Sequence, residues 1–449
     1  MNYNNEEEQR RMIFTVTSKA HQTATTTGVS MHHPMIFLKT VCITLWTLLT
    51  WAITPGIAAT MDTQPLSISL DQDTIHWLQM HHANLLEPSF ASPLSVRVAD
   101  NRQKLSLVQI KPENLEALSA VMHLQFHRCG GFMIEDSPTD FVLDWAQNFT
   151  TTAQPVAYSI GMHDQVNAIL KQISARRIRD TIAYLSGFEN RYYRSSTGIR
   201  SQESIHGIWK KLTLTNPDIS VELVQHSAQY PQPSVRLVWK GSKQAEEIIV
   251  LGGHGDSIAL NAWGGVERHA PGADDNASGI ATITEALHVL ALSGWQPERS
   301  IHLFSYAAEE IGLKGSSEIA ATYLEQHKKI VGVLQYDMTN HPKNTNEIGL
   351  VSDYTNAAQN QFVRDLVTTY LPHLHVTSAP CGYACSDHAS WHRRGYVASM
   401  PFESNPQVIY SKIHTSEDTL ANSDATGNHA AKFAQLAVAY LVEMATIDK

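Results

Sequence analysis

Only four cysteines occur in the 449 residues, Cys42, Cys129, Cys381 and Cys385. None stands in a set that would complete a zinc finger. Basic residues are outnumbered, 33 against 43 acidic, for a formal net charge of −10. That balance argues against a nucleic-acid partner or an anionic membrane surface. No internal repeat is present, so a solenoid or propeller is excluded. A membrane-spanning helix needs about 20 apolar residues, and the longest apolar run falls short of it. What remains is an ordinary globular composition, 43% hydrophobic and 17% charged, able to bury a core. The length implies at least two folded units.

That longest run lies near the start. Residues 1–30 are polar, with Glu6, Glu7 and Glu8 followed by a threonine-rich stretch. Behind Lys39 comes an apolar core from Val41 to Ile53, interrupted by three threonines and closed by Pro55-Gly56 and the small pair Ala58-Ala59. Positive start, short apolar core and small-residue site have the form of a secretory signal. We read residues 1–59 as leader and signal peptide, with translation starting at Met31 or Met35 and cleavage near Ala59. The expected product is secreted, with no stable membrane association.

Residues 60–152 form a first unit. Leu94–Val98 and Leu105–Ile110 look like strands. Glu113–Arg128 carries Leu115, Leu118, Met122 and Phe126 at helical spacing. The unit has no cluster of metal-ligating or nucleophilic residues, and reads as an accessory domain or a propeptide. Polar residues near 148–154 make the linker. From 153 to 449 apolar strands (248–251, 300–307, 330–335, 397–402) alternate with helices (276–293, 316–328, 360–370 and a last one from Phe433 to Met444). Strands apolar on both faces predict a largely parallel sheet covered by helices on each side, an α/β three-layer sandwich.

The chemistry-bearing residues fall where these strands end. His254 and Asp256 follow the first strand; Glu309 and Glu310 follow the second; Asp337 follows the third; Asp274 and Asp275 precede a helix; His414 lies in a late loop. Ligand crevices in open α/β sheets lie beyond the carboxyl ends of strands. Singly, each residue has a bland explanation: a helix cap for Asp274 or Asp275, a solvated pair for the glutamates, a loop histidine for His254. Together they are a ligand set suited to Zn²⁺ with positions left for water. One of two adjacent glutamates can bind metal while the other acts as general base. The pair Cys381 and Cys385 is either two buried thiols or, in a secreted protein, a short disulfide.

In order along the chain stand Gly252-Gly-His254-Gly-Asp256-Ser, Pro271-Gly-Ala-Asp274-Asp275-Asn-Ala-Ser-Gly, Ala307-Ala-Glu309-Glu310-Ile-Gly-Leu, Asp337-Met338-Thr-Asn, Cys381-Gly-Tyr383-Ala-Cys385-Ser-Asp-His-Ala-Ser-Trp and His414-Thr-Ser-Glu-Asp-Thr-Leu. This series resembles the M28 metallopeptidases, most of all the secreted bacterial leucyl aminopeptidases of the Vibrio/Aeromonas type, over roughly 158–449. The resemblance implies the zinc-dependent exopeptidase fold, preceded by a small α+β propeptide domain that the Cys129-Gly-Gly-Phe-Met-Ile-Glu-Asp segment also matches. It implies two Zn²⁺ per chain. Asp274 would bridge them, with His254 and Asp337 completing one site and Glu310 and His414 the other. Glu309 would be the general base acting on a water shared by the metals. Asp256 would orient His254, and Asp275 would set the turn presenting Asp274. Cys381 and Cys385 would be joined, bracing Tyr383. Met338, Tyr383, Phe402 and Ile413 would line a pocket favouring a large apolar N-terminal residue such as leucine. The expected partners are peptides with a free N-terminus, and the expected state is a monomer. Two alternatives stay open: a co-catalytic zinc carboxypeptidase or N-acyl amino acid amidohydrolase, and a metal-free binding module on the same fold.

Overall fold

A computed structural model describes residues 64–87, 95–97, 104–126, 128, 130–135, 157–260, 268–342, 344–408 and 410–447. The leader and signal reading of 1–59, the linker near 148–154 and Cys129 lie outside the described residues. Among the described residues no helix is long and apolar enough to cross a membrane.

The main sheet has six strands. In chain order they are β5 (Ile219–Val224), β6 (Ser234–Trp239), β7 (Gln244–His254), β8 (Arg299–Tyr306), β9 (Lys329–Gln335) and β12 (Ala398–Ser399), arranged β12-β9-β7-β8-β6-β5. The pairs β12/β9, β9/β7 and β7/β8 are parallel, while β8/β6 and β6/β5 are antiparallel. Alternation along β7 shows why both faces are covered. Ile249 and Leu251 enter a core with the helices Gly279–Leu292 and Asn428–Ala445. Ile248 and Val250 enter another with Ile319, Tyr323 and Trp391 on the opposite side. The result is the expected three-layer, mixed and largely parallel sandwich. A three-stranded sheet, order β11-β10-β13 (His375–Val376, Glu347–Leu350, Pro401–Phe402), flanks it.

Several elements escaped the sequence reading, among them the helix Ser196–Leu212 and the strands β5 and β6. The helix Ser196–Leu212 has its moderate apolar stripe diluted by polar residues, yet it is started by Ser195, whose side chain accepts the Gly198 N–H. The strands β5 and β6 form the antiparallel edge, paired with each other and, through β6, with β8. The expected strand 397–402 is divided between β12 and β13, which belong to different sheets.

The N-terminal unit is a four-stranded antiparallel sheet, order β2-β3-β1-β4 (Ser95–Arg97, Lys104–Ile110, Leu66–Asp71, Met133–Glu135), with helices Gln72–His81 and Leu115–Phe126. Its core is continuous with the larger domain: Ile68, Leu118, Phe132 and Ile134 pack in one cluster with Tyr193, Ala307, Ala308 and Ile311.

Candidate active site

The parallel strands deliver three of the site's segments to one rim. His254 is the last residue of β7, the loop after β8 carries Glu309 and Glu310, and Asp337 stands two residues past β9. Two further loops complete the rim: the turn Ala273–Ser278 before helix Gly279–Leu292, and the loop holding His414, whose φ is 55°. All of these side chains are 0–2% exposed.

Distances sort them into two groups sharing one acid. Asp275 Oδ1 lies 3.0 Å from His254 Nε2, and Asp337 Oδ1 lies 3.4 Å from the same nitrogen. Asp275 Oδ2 lies 2.9 Å from His414 Nε2, which is 2.8 Å from Glu310 Oε2. Within each group, His254/Asp275/Asp337 and Asp275/Glu310/His414, the ligand atoms are within 4.8 Å of one another.

The shared acid is therefore Asp275 and not Asp274, which corrects the expected assignment. The reason is local. The Asp274 and Asp275 amides both donate to the Asp418 carboxylate, each at 3.0 Å. Asn276 pins the following turn, its Oδ1 accepting the Gly279 and Met338 amides and its Nδ2 donating to the Tyr336 carbonyl. With the backbone held on both sides, adjacent side chains diverge. Asp274 turns away to accept the Asn340 N–H at 2.8 Å and lies against the buried Glu403. Asp275 alone projects between the histidines.

The electrostatics separate the two acids as well. Burial pushes Asp274 up to about 6. Burial acts on Asp275 in the same direction, but the close imidazoles of His254 and His414 hold its carboxyl well below the usual range. The histidines answer. Burial disfavours a charged His414, yet Glu310 and Asp275 carry it up to about 10. Asp337 and Glu309 likewise raise His254 well above its ordinary value against burial. Such histidines sit where positive charge is strongly wanted.

Those residues fit a pair of cations. Neither ring nitrogen of His254 makes a hydrogen bond of good geometry, nor does Asp337 Oδ1, although all are buried. Buried polar atoms without such bonds are costly, and a cation would satisfy them. The donor set of imidazole and carboxylate is the one Zn²⁺ takes.

Glu309 is different. It belongs to neither group, is 0% exposed and has no hydrogen bond on either oxygen. Burial, aided by Glu310, Asp387 and Asp337 and opposed by His254, pushes its carboxyl well above the usual range. Asp256 stands 3.4 Å from His254 Nδ1. It also accepts the Glu309 and Glu310 amides at 3.1 and 3.2 Å, tying the two loops together.

Sequence reasoning missed Arg191. Fully buried, its guanidinium donates to the carbonyls of Leu185, Gly255, Pro271 and Gly272, stapling the His254 and Asp275 loops. A lone arginine after a helix gives no signal in a single sequence. Asp418 was within reach, since it lies inside the His414 motif.

Next to Asp337 opens a cavity of about 270 Å³ lined by Met338, Tyr383, Phe402 and Ile413, as expected, together with Val351, Met400 and Tyr410. Cys381 and Cys385 form a disulfide, S–S 2.04 Å, on its wall. Tyr410 stacks on His341 at 4.1 Å. His123, from the N-terminal unit, also reaches the cavity.

A largely parallel α/β sheet whose strand ends share one carboxylate between two acid–histidine groups, beside an apolar cavity, is the architecture of a metal-dependent hydrolase. Comparison with known proteins gives the family. Residues 234–439 match the model of Peptidase family M28. Leucine aminopeptidase 1 of Arthroderma gypseum is 34% identical over 332 residues, covering 70% of this chain and 87% of the relative. Among solved structures, the LapA aminopeptidase of Legionella pneumophila is 26% identical with a TM-score of 0.69, covering 86% of this chain and 100% of that one. BSAP, a zinc aminopeptidase from Bacillus subtilis, shares the fold at 14% identity and TM-score 0.50, covering 62% and 97%. The chain belongs to peptidase family M28, and it is a metallo-aminopeptidase.

Proposed function

We propose that this aminopeptidase is secreted and releases N-terminal residues, large apolar ones such as leucine foremost, from peptides with two zinc ions. His254, Asp275 and Asp337 would hold one ion, and Asp275, Glu310 and His414 the other. The observation that carries this reading is the Asp275 carboxylate, whose two oxygens each face a different histidine at 3.0 and 2.9 Å. A zinc pair, when bound, supplies Lewis acidity for the scissile carbonyl and lowers the pKa of water.

The chain's own groups do the rest. Glu309 has no bond holding either oxygen and a carboxyl with raised proton affinity, so it suits taking a proton from the attacking water and giving it to the leaving amine. Asp256 keeps the Glu309 and Glu310 backbone in register with His254. The apolar cavity receives the first side chain and excludes water from it, which favours leucine-like residues. The family's leucine aminopeptidases support that preference.

The test is hydrolysis of leucyl-anilide and leucyl peptides, beside N-acetylated forms, with chelator and zinc add-back. Activity on free termini that is lost to chelator and restored by zinc is expected; cleavage confined to blocked substrates would overturn the reading. Secretion rests on the 35–59 segment and agrees with the Cys381–Cys385 disulfide. Sequencing the exported protein is expected to give a start near Thr60, and a start at Met1 would refute it.

A further inference from the structure

A chain of largely buried polar groups runs up to the loop that carries Glu309 and Glu310. It consists of Ser234, the first residue of β6, His226 in the loop before it, and Glu318 and Lys314 on the helix Lys314–Glu325. Ser234 is 0% exposed and the His226 side chain 1%. His226 Nε2 lies 2.8 Å from Ser234 Oγ, and its Nδ1 lies 2.6 Å from Glu318 Oε2. Glu318 Oε1 takes Lys314 Nζ at 2.9 Å.

Serine, histidine and glutamate are the components of a hydrolytic triad, yet no substrate reaches these: Ser234 and His226 are buried, and neither lines the cavity beside Asp337. The chain is aimed at backbone instead. The ladder between β6 and β8 ends at the pair Val235–Ser305. Past that end Ser234 Oγ accepts the Ala307 N–H at 2.9 Å, just ahead of Glu309. The hydroxyl's own hydrogen is then left for His226 Nε2. A neutral His226 that accepts there carries its hydrogen on Nδ1, where Glu318 receives it. Burial acts against the Glu318 charge, but His226 and Lys314 hold its carboxyl below the ordinary range. The bonds therefore run in one direction, from the Ala307 N–H to the Glu318 carboxylate, and each polarises the next.

The start of the helix holds the same loop by its carbonyls. The Gly315 and Lys314 amides donate to the Ala307 and Ala308 oxygens, each at 3.0 Å. A Cβ on Gly315 would lie 2.3 Å from the Ala307 oxygen, so only glycine allows this approach. Between these bonds and the Asp256 carboxylate that accepts the Glu309 amide, Ala308 keeps a left-handed φ of 55°. A non-glycine residue stays in that region only where its surroundings over-determine it.

We propose that Ser234 and His226 are positioning residues for the general base: the Ser234–His226–Glu318 chain fixes the Ala307–Ala308 backbone and so aims the Glu309 carboxylate. The proposal rests on the reading of Glu309 as base.

The test is a double-mutant cycle in the full chain, loaded with zinc and assayed on leucyl-anilide. Ser234→Ala leaves a buried N–H without its acceptor, which favours a shift of the loop. It is expected to lower kcat about three- to tenfold, with KM and zinc content unchanged. His226→Leu removes the acceptor of the Ser234 hydroxyl and is expected to cost about threefold. His226→Gln, whose carbonyl can stand where Nε2 stood, is expected to recover most of that loss. In a Glu309→Gln background no base remains to be aimed, so Ser234→Ala is expected to change kcat less than about twofold. A bond that only stabilised the fold would lower kcat by the same factor in both backgrounds, and that result overturns the proposal. So does an unchanged kcat in both Ser234→Ala and His226→Leu. If Ser234→Ala does not fold, His226→Leu takes its place in the cycle, with the same two outcomes. Full activity in Glu309→Gln alone overturns the underlying reading, whatever the Ser234 variants do, which keeps the two failures apart.

Discussion

Replacing Glu309 by glutamine removes the proton acceptor while keeping the shape of the side chain. Glu309 is 0% exposed, neither oxygen makes a hydrogen bond, and it belongs to neither ligand group. The substitution therefore takes away no ligand and leaves no partner unsatisfied, so zinc content and unfolding temperature should stay near those of the parent. General acid–base catalysis contributes about 10²–10⁴-fold, roughly 3–5 kcal/mol at 1.36 kcal/mol per decade. A fall of that size in kcat on leucyl-anilide, with KM changed little, is expected. The pH dependence gives a second reading. A base must be deprotonated, and burial raises this carboxyl above its ordinary range. Activity is thus present above its pKa and falls as pH drops through it, and this acid limb should be missing from the residual activity of the variant. Bound cations pull the group back down, so the existence of the limb, not its position, is the test. Retention of more than a tenth of the parental kcat, or loss of zinc, would refute the reasoning.

Two further substitutions probe the frame of the site. Arg191→Met removes a donor from four carbonyls, of which Leu185 and Gly272 keep the Phe188 and Ala277 amides; at about 1–3 kcal/mol for each of the two buried groups left unsatisfied, denaturant unfolding should show a loss of at least ~2 kcal/mol. Arg191→Lys should not restore it, because an ammonium cannot span the fork; a stable Arg191→Met variant would show that the staple is dispensable. Replacing Cys381 and Cys385 by serine opens a loop closed over a separation of 4 residues. Loop entropy for so short a closure is worth about 2 kcal/mol, and loosening of the Tyr383 wall should raise KM for leucyl substrates more than it lowers kcat. An unchanged KM would remove the disulfide from the pocket's account.

The architecture was legible where burial is one-sided or total. The strands at 248–251, 300–307 and 330–335 are apolar throughout because helices cover both faces, and the residues after them reached the common rim that strand ends predict. The four pocket residues also came together. The exchange of Asp274 and Asp275 was not legible. Two identical neighbours differ only in which amides Asp418 and Asn276 restrain, and those contacts span 144 and 62 positions. Arg191 escaped for the same reason, since its acceptors are backbone carbonyls that carry no residue signature. The strand at 105–110 and the helix after Glu113 were readable, but the bonds from Ser119 and the Ile134 amide to the Glu310 and Gly312 carbonyls pair a serine and a backbone amide with loop backbone, which no periodicity records.

The most direct measurement of the central claim is metal content per chain by elemental analysis in Asp275→Asn beside Asp274→Asn. With Asp275 shared between His254 and His414, the parent should hold two zinc ions, Asp275→Asn should lose binding at both sites together, and Asp274→Asn, whose carboxylate faces Asn340, should keep at least one. Two ions retained in Asp275→Asn and none in Asp274→Asn would contradict it.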